Sequence, residues 1–148
     1  MSARITKNHY FEPDKSLRRL ADRVCRVYPE YFGHIDLKRV AFMMETTGND
    51  SGACAVCHKV STLARAAFRE VKKPTDFVIA FFSSECEGKS QQWMQMLMFH
   101  ELLHIGVDGK LVEHDIQEFM DVVRLAGLDW QNDDDLPDII RKQIKLVA

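Results

Sequence analysis

Residues 99–115, FHELLHIGVDGKLVEHD, gather three histidines and several carboxylates into one short stretch. His100, Glu101 and His104 fall in the pattern HExxH. Four residues along an α-helix make about one turn, so His100 and His104 stack on one face and can close on a single cation. Glu101 is turned about 100° from His100, to the edge of that face. From there its carboxylate can reach a water on the cation without filling the coordination sphere. A zinc ion lowers the pKa of such a water toward about 7, and a carboxylate at that edge can take the proton. The chemistry this spacing suits is hydrolysis of a polarised carbonyl.

Two ligands are too few, because a catalytic zinc usually has three protein ligands and one open position. His114 is the expected third. It follows His104 by ten residues, beyond the break GVDGK, where a second helix is expected to start. The positive end of that helix would disfavour a protonated imidazole and keep His114 free to bind. Asp115 and Glu118 flank it, and either could accept the N–H of a ligand histidine, Asp115 being favoured. Asp115 in place of His114 as the ligand stays open. One zinc ion per chain is expected, although imidazoles also accept other first-row ions. HExxH alone is a motif with a false-positive risk, so the rest of the chain must supply the helix and the context.

Residues 1–13 read as an irregular lead-in. From Asp14, Leu17, Leu20, Ala21, Val24 and Tyr28 recur at helical steps until Pro29. Residues 31–36 read as a connection and 38–45 as a strand. TTGNDSG is strong turn chemistry, which makes 53–60 the expected hairpin partner of that strand. A short helical pattern covers 61–70, and a loop with Pro74 covers 71–75. Residues 76–84, DFVIAFFSS, form the clearest strand, apolar on both faces and therefore expected to be covered on both sides. A helix over 91–105 carries HExxH. A second runs from about residue 112 or 113 to 126, with Ile116, Phe119, Val122 and Val123 inward and Gly127 as its C-terminal cap. QNDDDLP reads as a solvated linker before a final helix over 136–146. The expected architecture is a single α+β domain over 1–148. It comprises an N-terminal helix, a small mixed sheet of three to four strands, the motif helix and C-terminal helices.

Two other motifs compete. CAVCH, residues 54–58, matches a covalent haem attachment signature, but no export signal is seen. A zinc knuckle needs a turn between Cys54 and Cys57. On a strand, three residues apart means opposite faces. The cysteines read as small buried thiols. Arginines in LRRLADRVCR read as the wet side of an amphipathic helix. No residue is singled out for stabilising an oxyanion; His58, Arg124 and Tyr31 are the available candidates.

With 148 residues, 46% hydrophobic and 28% charged, and a net charge of −2, the chain has no whole-protein field to attract nucleic acid or membrane. The N-terminus lacks a signal-peptide pattern and no stretch nears a membrane span of roughly 20 apolar residues. A cytoplasmic protein is expected, with no membrane partner and no nucleic acid as a direct one.

HELLHIGVDGKLVEHDIQEF, preceded by DFVIAFF and followed by VVRLAGLDW, resembles the phage metallopeptidase family, itself similar to minimal zincins such as Spartan-like proteases. The resemblance covers roughly 37–130. It implies a zincin-like fold, one zinc, His100, His104 and His114 as ligands, Glu101 as base, and a polypeptide substrate. It also implies a phage or prophage origin, and in zincins a sheet strand aligns an extended peptide by backbone pairing. Two further readings stand beside a peptidase: a zinc-binding interaction module without turnover, and a Spartan-like processor of DNA-bound protein.

Overall fold

The computed structural model describes residues 5–68, 75–114 and 118–141. Among these the fold is α+β, built on a four-stranded mixed sheet. Strand β1 is Phe11–Pro13, β2 Val40–Glu45, β3 Ala55–Lys59 and β4 Phe77–Phe82, in the order β1-β2-β4-β3. β1 runs antiparallel to β2, β2 parallel to β4 and β3 antiparallel to β4. The register pairs Val40 with Phe77 and Glu45 with Phe82 on one side of β4, and Ala55 with Phe81 on the other.

β4 holds the centre because both its faces are apolar. Phe77, Ile79, Ala80, Phe81 and Phe82 are all buried, and fully burying a side chain of this size contributes about 1.5–3 kcal/mol. A strand that must be covered on both faces and paired on both edges displaces its neighbours outward. The hairpin expected between β2 and β3 is therefore not formed: β4 lies between them, and β3 occupies an edge. The lead-in is also not wholly irregular. Phe11–Pro13 forms the opposite edge, with Pro13 where a missing N–H is tolerated. The rings of His9 and Phe11 pack against Phe82, both at 5.8 Å.

Helix α1 is Lys15–Val27. Asp14 caps it by accepting from Leu17 N at 2.9 Å, and Leu17, Ala21 and Val24 face inward. Pro29 ends α1 but also opens α2, Pro29–Phe32, which runs into the connection expected over 31–36. A 3-10 turn at Leu37–Arg39 takes up the first two residues of the strand expected over 38–45, which begins at Val40. Helix α3, Thr62–Phe68, agrees with the expected short helix, and most of the expected loop over 71–75 lies outside the described residues. α4 is one turn, Ser83–Cys86.

Helix α5, Gln91–Leu103, carries the motif. Ser90 caps it by accepting from Trp93 N at 3.1 Å. Trp93 and every residue from Gln95 to Leu102 are buried. This is an interior helix, not an amphipathic one with histidines on its wet side. α1 and α2 pack on it, and the rings of Tyr28, Tyr31 and Phe32 surround Phe99 at 5.2, 5.6 and 5.1 Å.

The second helix is shorter than expected. Residues 112–114 are not helical, 115–117 lie outside the described residues, and α6 spans only Met120–Ala126, capped by Gly127 at φ +89°. Phe119 and Val122 are buried, as expected, and Val123 is half-buried; Ile116 lies outside the described residues. A 3-10 turn, Trp130–Asn132, runs into the start of the expected linker, with Trp130 buried. Leu136, Ile139 and Ile140 are buried, and the expected last helix beyond residue 141 is outside the described residues. Among the described residues no helix is long and apolar enough to cross a membrane.

Candidate metal centre

His100 lies in the last turn of α5. His104 is the cap residue, and its φ of −69° and ψ of −17° continue the helical path for one more residue. The two rings therefore stack as the spacing requires, with centroids 5.2 Å apart. The chain then reverses tightly. Ile105 bridges Leu111, Gly106 N donates to Lys110 O at 2.9 Å, and Gly109 sits at φ +76°. Gly106 is required by space: a Cβ there would come within 2.9 Å of Lys110 O. This reversal brings Val112 back to His104, with Val112 N donating to His104 O at 2.6 Å. Two residues later His114 arrives beside both earlier rings, at centroid distances of 4.8 Å from His100 and 4.7 Å from His104.

The three histidines are the one group of three close metal-ligating side chains among the described residues, with one candidate donor atom from each lying within 4.8 Å of the others. The Nε2 atoms of His100 and His114 are 2.9 Å apart. His104 Nδ1–H donates to Val112 O at 2.7 Å, which leaves its Nε2 free. His100 Nδ1 rests against the Glu118 carboxylate, so its Nε2 is the nitrogen turned toward His114. The Phe119 ring meets all three imidazoles, at 5.4, 4.9 and 5.1 Å, and forms an apolar wall.

The electrostatics favour neutral nitrogen donors at two of the three positions. Burial drives the His104 pKa down to about 4, with His100 and His114 adding to the effect. His114 is lowered by burial and by His100. The helix expected to do this does not start at His114 among the described residues: 112–114 are not helical and α6 begins at Met120. His100 differs: burial opposes its protonation, but the hydrogen bond and charge of Glu118 and the charge of Glu101 raise its pKa. Glu118 is held below the usual carboxylate range despite burial, by His100, Trp130 and Phe119 N.

Glu101 is buried, with Oε1 3.8 Å from His100 Nε2. Its Oε2 is buried with no hydrogen-bond partner among the described residues. Burial pushes its carboxyl up to about 7, His100 opposing and Glu118 adding. A buried polar oxygen without a partner is costly and marks a place where a ligand or water is wanted. Three imidazoles with converging nitrogens, a nearby unpartnered carboxylate oxygen and an apolar wall fit a borderline-soft metal ion.

Of the two expected flanking carboxylates, Glu118 is the one that meets His100, and Asp115 lies outside the described residues. Sequence reading missed Phe119 as a wall and Trp130 as the donor to Glu118, at 2.9 Å. Neither carries a spacing signal, since both come back to the site through tertiary packing. Cys57 is buried and its thiol is raised by burial. Cys54 precedes β3 rather than lying on it. Tyr31 and Arg124 both pair with Asp121, and His58 is exposed on β3.

A small α+β domain with a three-histidine group at the end of a buried helix is the class that fold and site define. Residues 9–140 match the family described as Putative phage metallopeptidase, and the chain belongs to that family. No curated protein and no solved structure matches it.

Proposed function

We propose that this chain is a zinc-dependent peptidase of phage or prophage origin, with His100, His104 and His114 as the ligands of one zinc ion and Glu101 as general base. The observation that carries the reading is the convergence of three imidazoles beside a buried, unpartnered Glu101 oxygen. When bound, the ion supplies Lewis acidity, acidifying a water and polarising the scissile carbonyl. Glu101 takes the proton of the attacking water. Its raised carboxyl suits that task, because a base whose pKa is near the working pH transfers protons most efficiently. The same carboxyl then returns the proton to the leaving amine. Glu118 and Val112 O hold the ligand rings by their other nitrogens, and Phe119 excludes water from one side.

The substrate would be an extended polypeptide laid along β3. Val60 N donates to Asp76 O, and Phe82 N to Cys54 O, so the even-numbered positions from 54 to 60 exchange bonds with β4. Ala55, Cys57 and Lys59 then turn their N–H and C=O groups to the outer edge, which no described strand covers. β3 packs against α5, and the charge of Glu101 reaches the Cys57 thiol on β3. A peptide pairing there would gain main-chain hydrogen bonds without sequence demands.

The test is Glu101→Gln. Zinc content should remain at one per chain, while hydrolysis of an unfolded protein substrate falls by about 10²–10⁴-fold, the usual worth of a general base. A variant that hydrolyses as fast as the wild type would remove Glu101 from the mechanism. A wild type that binds zinc and hydrolyses nothing would favour an interaction module.

A further inference from the structure

A ligand histidine is useful only if its ring is held. Nε2 binds the ion, and the group on Nδ1 fixes the ring's rotation and tautomer. For His100 that group is Glu118. Glu118 sits on a flexible side chain in a segment that is neither helix nor strand, so something must hold the carboxylate in turn. Two donors do so: Phe119 N reaches Oε1 and Trp130 Nε1 reaches Oε2, each at 2.9 Å. Trp130 is 1% exposed and Glu118 5%, so bulk water has little access to replace either bond.

Trp130 is itself tied to the helix that carries His100. Its ring lies 5.8 Å from Trp93, and Trp93 Nε1 donates to Gln131 O at 3.2 Å. Trp93 precedes His100 by seven residues, two turns along α5, on the same face. The contacts close a circuit: α5 to Trp93, to the Trp130–Asn132 turn, to Glu118, and back to His100 on α5. One helix therefore supplies both the ring and the reference point against which that ring is aligned.

We propose that Trp130 is a positioning residue for the metal centre, its indole N–H fixing the Glu118 carboxylate so that Glu118 presents His100 to the ion. The proposal rests on the reading of His100 as a ligand. It requires the indole nitrogen itself. A tryptophan that merely filled space could be replaced by phenylalanine without consequence at the metal.

The experiment measures affinity for the zinc ion alone, by competition with a chromophoric chelator. The proteins are the wild type, Trp130→Phe, Glu118→Gln and the double variant. Trp130→Phe should weaken zinc about tenfold and Glu118→Gln by about 10–100-fold, the range for losing a group behind a ligand. The double variant should be no weaker than Glu118→Gln, because the indole acts only through that carboxylate. Wild-type affinity in Trp130→Phe, or fully additive losses in the double variant, would overturn the proposal. Should Trp130→Phe not fold, the wild type still gives an answer. The chain has two tryptophans, so Trp93→Phe assigns the two indole N–H resonances. The Trp130 signal should shift in step with zinc uptake, and a signal that stays fixed through saturation would overturn the proposal alone. A wild type that takes up no zinc would overturn the peptidase reading, and the proposal with it.

Discussion

His100 and His104 differ in what holds the second ring nitrogen, a carboxylate for one and the Val112 carbonyl for the other. The first gains a charge partner; the second depends on the backbone of the loop that also delivers His114. The pair was legible in the sequence because four helical residues fix a geometry before any tertiary structure is known. His114 was legible as a residue type beyond a glycine break, but the reason given for its neutrality was not the operative one. Burial and the His100 charge lower it. Which carboxylate stands behind His100 was not legible, because no periodicity links residues 115 or 118 to residue 100 across a reversed chain. A direct comparison follows for the third ligand. His114→Ala should leave the purified chain with well under one zinc, whereas Asp115→Ala should retain it. Metal analysis of the two side by side decides, and the opposite result would make Asp115 the ligand.

The elements that the sequence specified well are those with a strong local signal. α1 has its Asp14 cap and inward Leu17, Ala21 and Val24; β4 has apolar residues on both faces. The partner of β3 had no such signal. Turn residues say where a chain reverses, not which strand it then meets, and the demand of β4 for two neighbours outweighed proximity to β2. The short strand Phe11–Pro13 was hidden because three residues show no periodicity. Edge placement lets the proposed substrate path along β3 be tested. Ala55 is the first residue of that strand, and its N–H points away from β4, so Ala55→Pro removes an outward donor while sparing the ladder. One lost main-chain hydrogen bond is worth about 1 kcal/mol, or roughly a fivefold rise in KM on a peptide the wild type cleaves. Melting temperature should change little. Val56→Pro removes a ladder bond to β4 instead and should lower the melting temperature clearly. An unchanged KM in Ala55→Pro would mean that substrate does not pair along this edge.

At the scale of the whole molecule, most of the core lies outside the three-histidine group. Phe81, Phe82, Ile79, Phe99, Met96 and Ile139 are fully buried around the sheet and α5. Chelation should therefore lower the melting temperature of a cooperative fold rather than abolish it. Excess zinc should raise it in proportion to RT ln(1 + [Zn]/Kd), about 4 kcal/mol at a thousandfold excess over Kd. A metal-free chain without a cooperative transition would contradict that. The metal-free protein also carries a pH signature of its site. Glu101 titrates near 7 when folded, against about 4.5 in the unfolded chain, because burial penalises its charge. Between those values the unfolded state has released this proton and the folded state has kept it. Folding stability from this group is thus fully present below about pH 4.5, falls as pH rises, and levels off above about 7. Glutamine at 101 has nothing to release. Measured in chelator from pH 4 to 8, the stability of Glu101→Gln should gain on the wild type across pH 4.5–7 and hold that gain above it. A difference independent of pH would mean that the Glu101 carboxylate is solvated in the folded chain. It would then not be the buried, poised base proposed for hydrolysis.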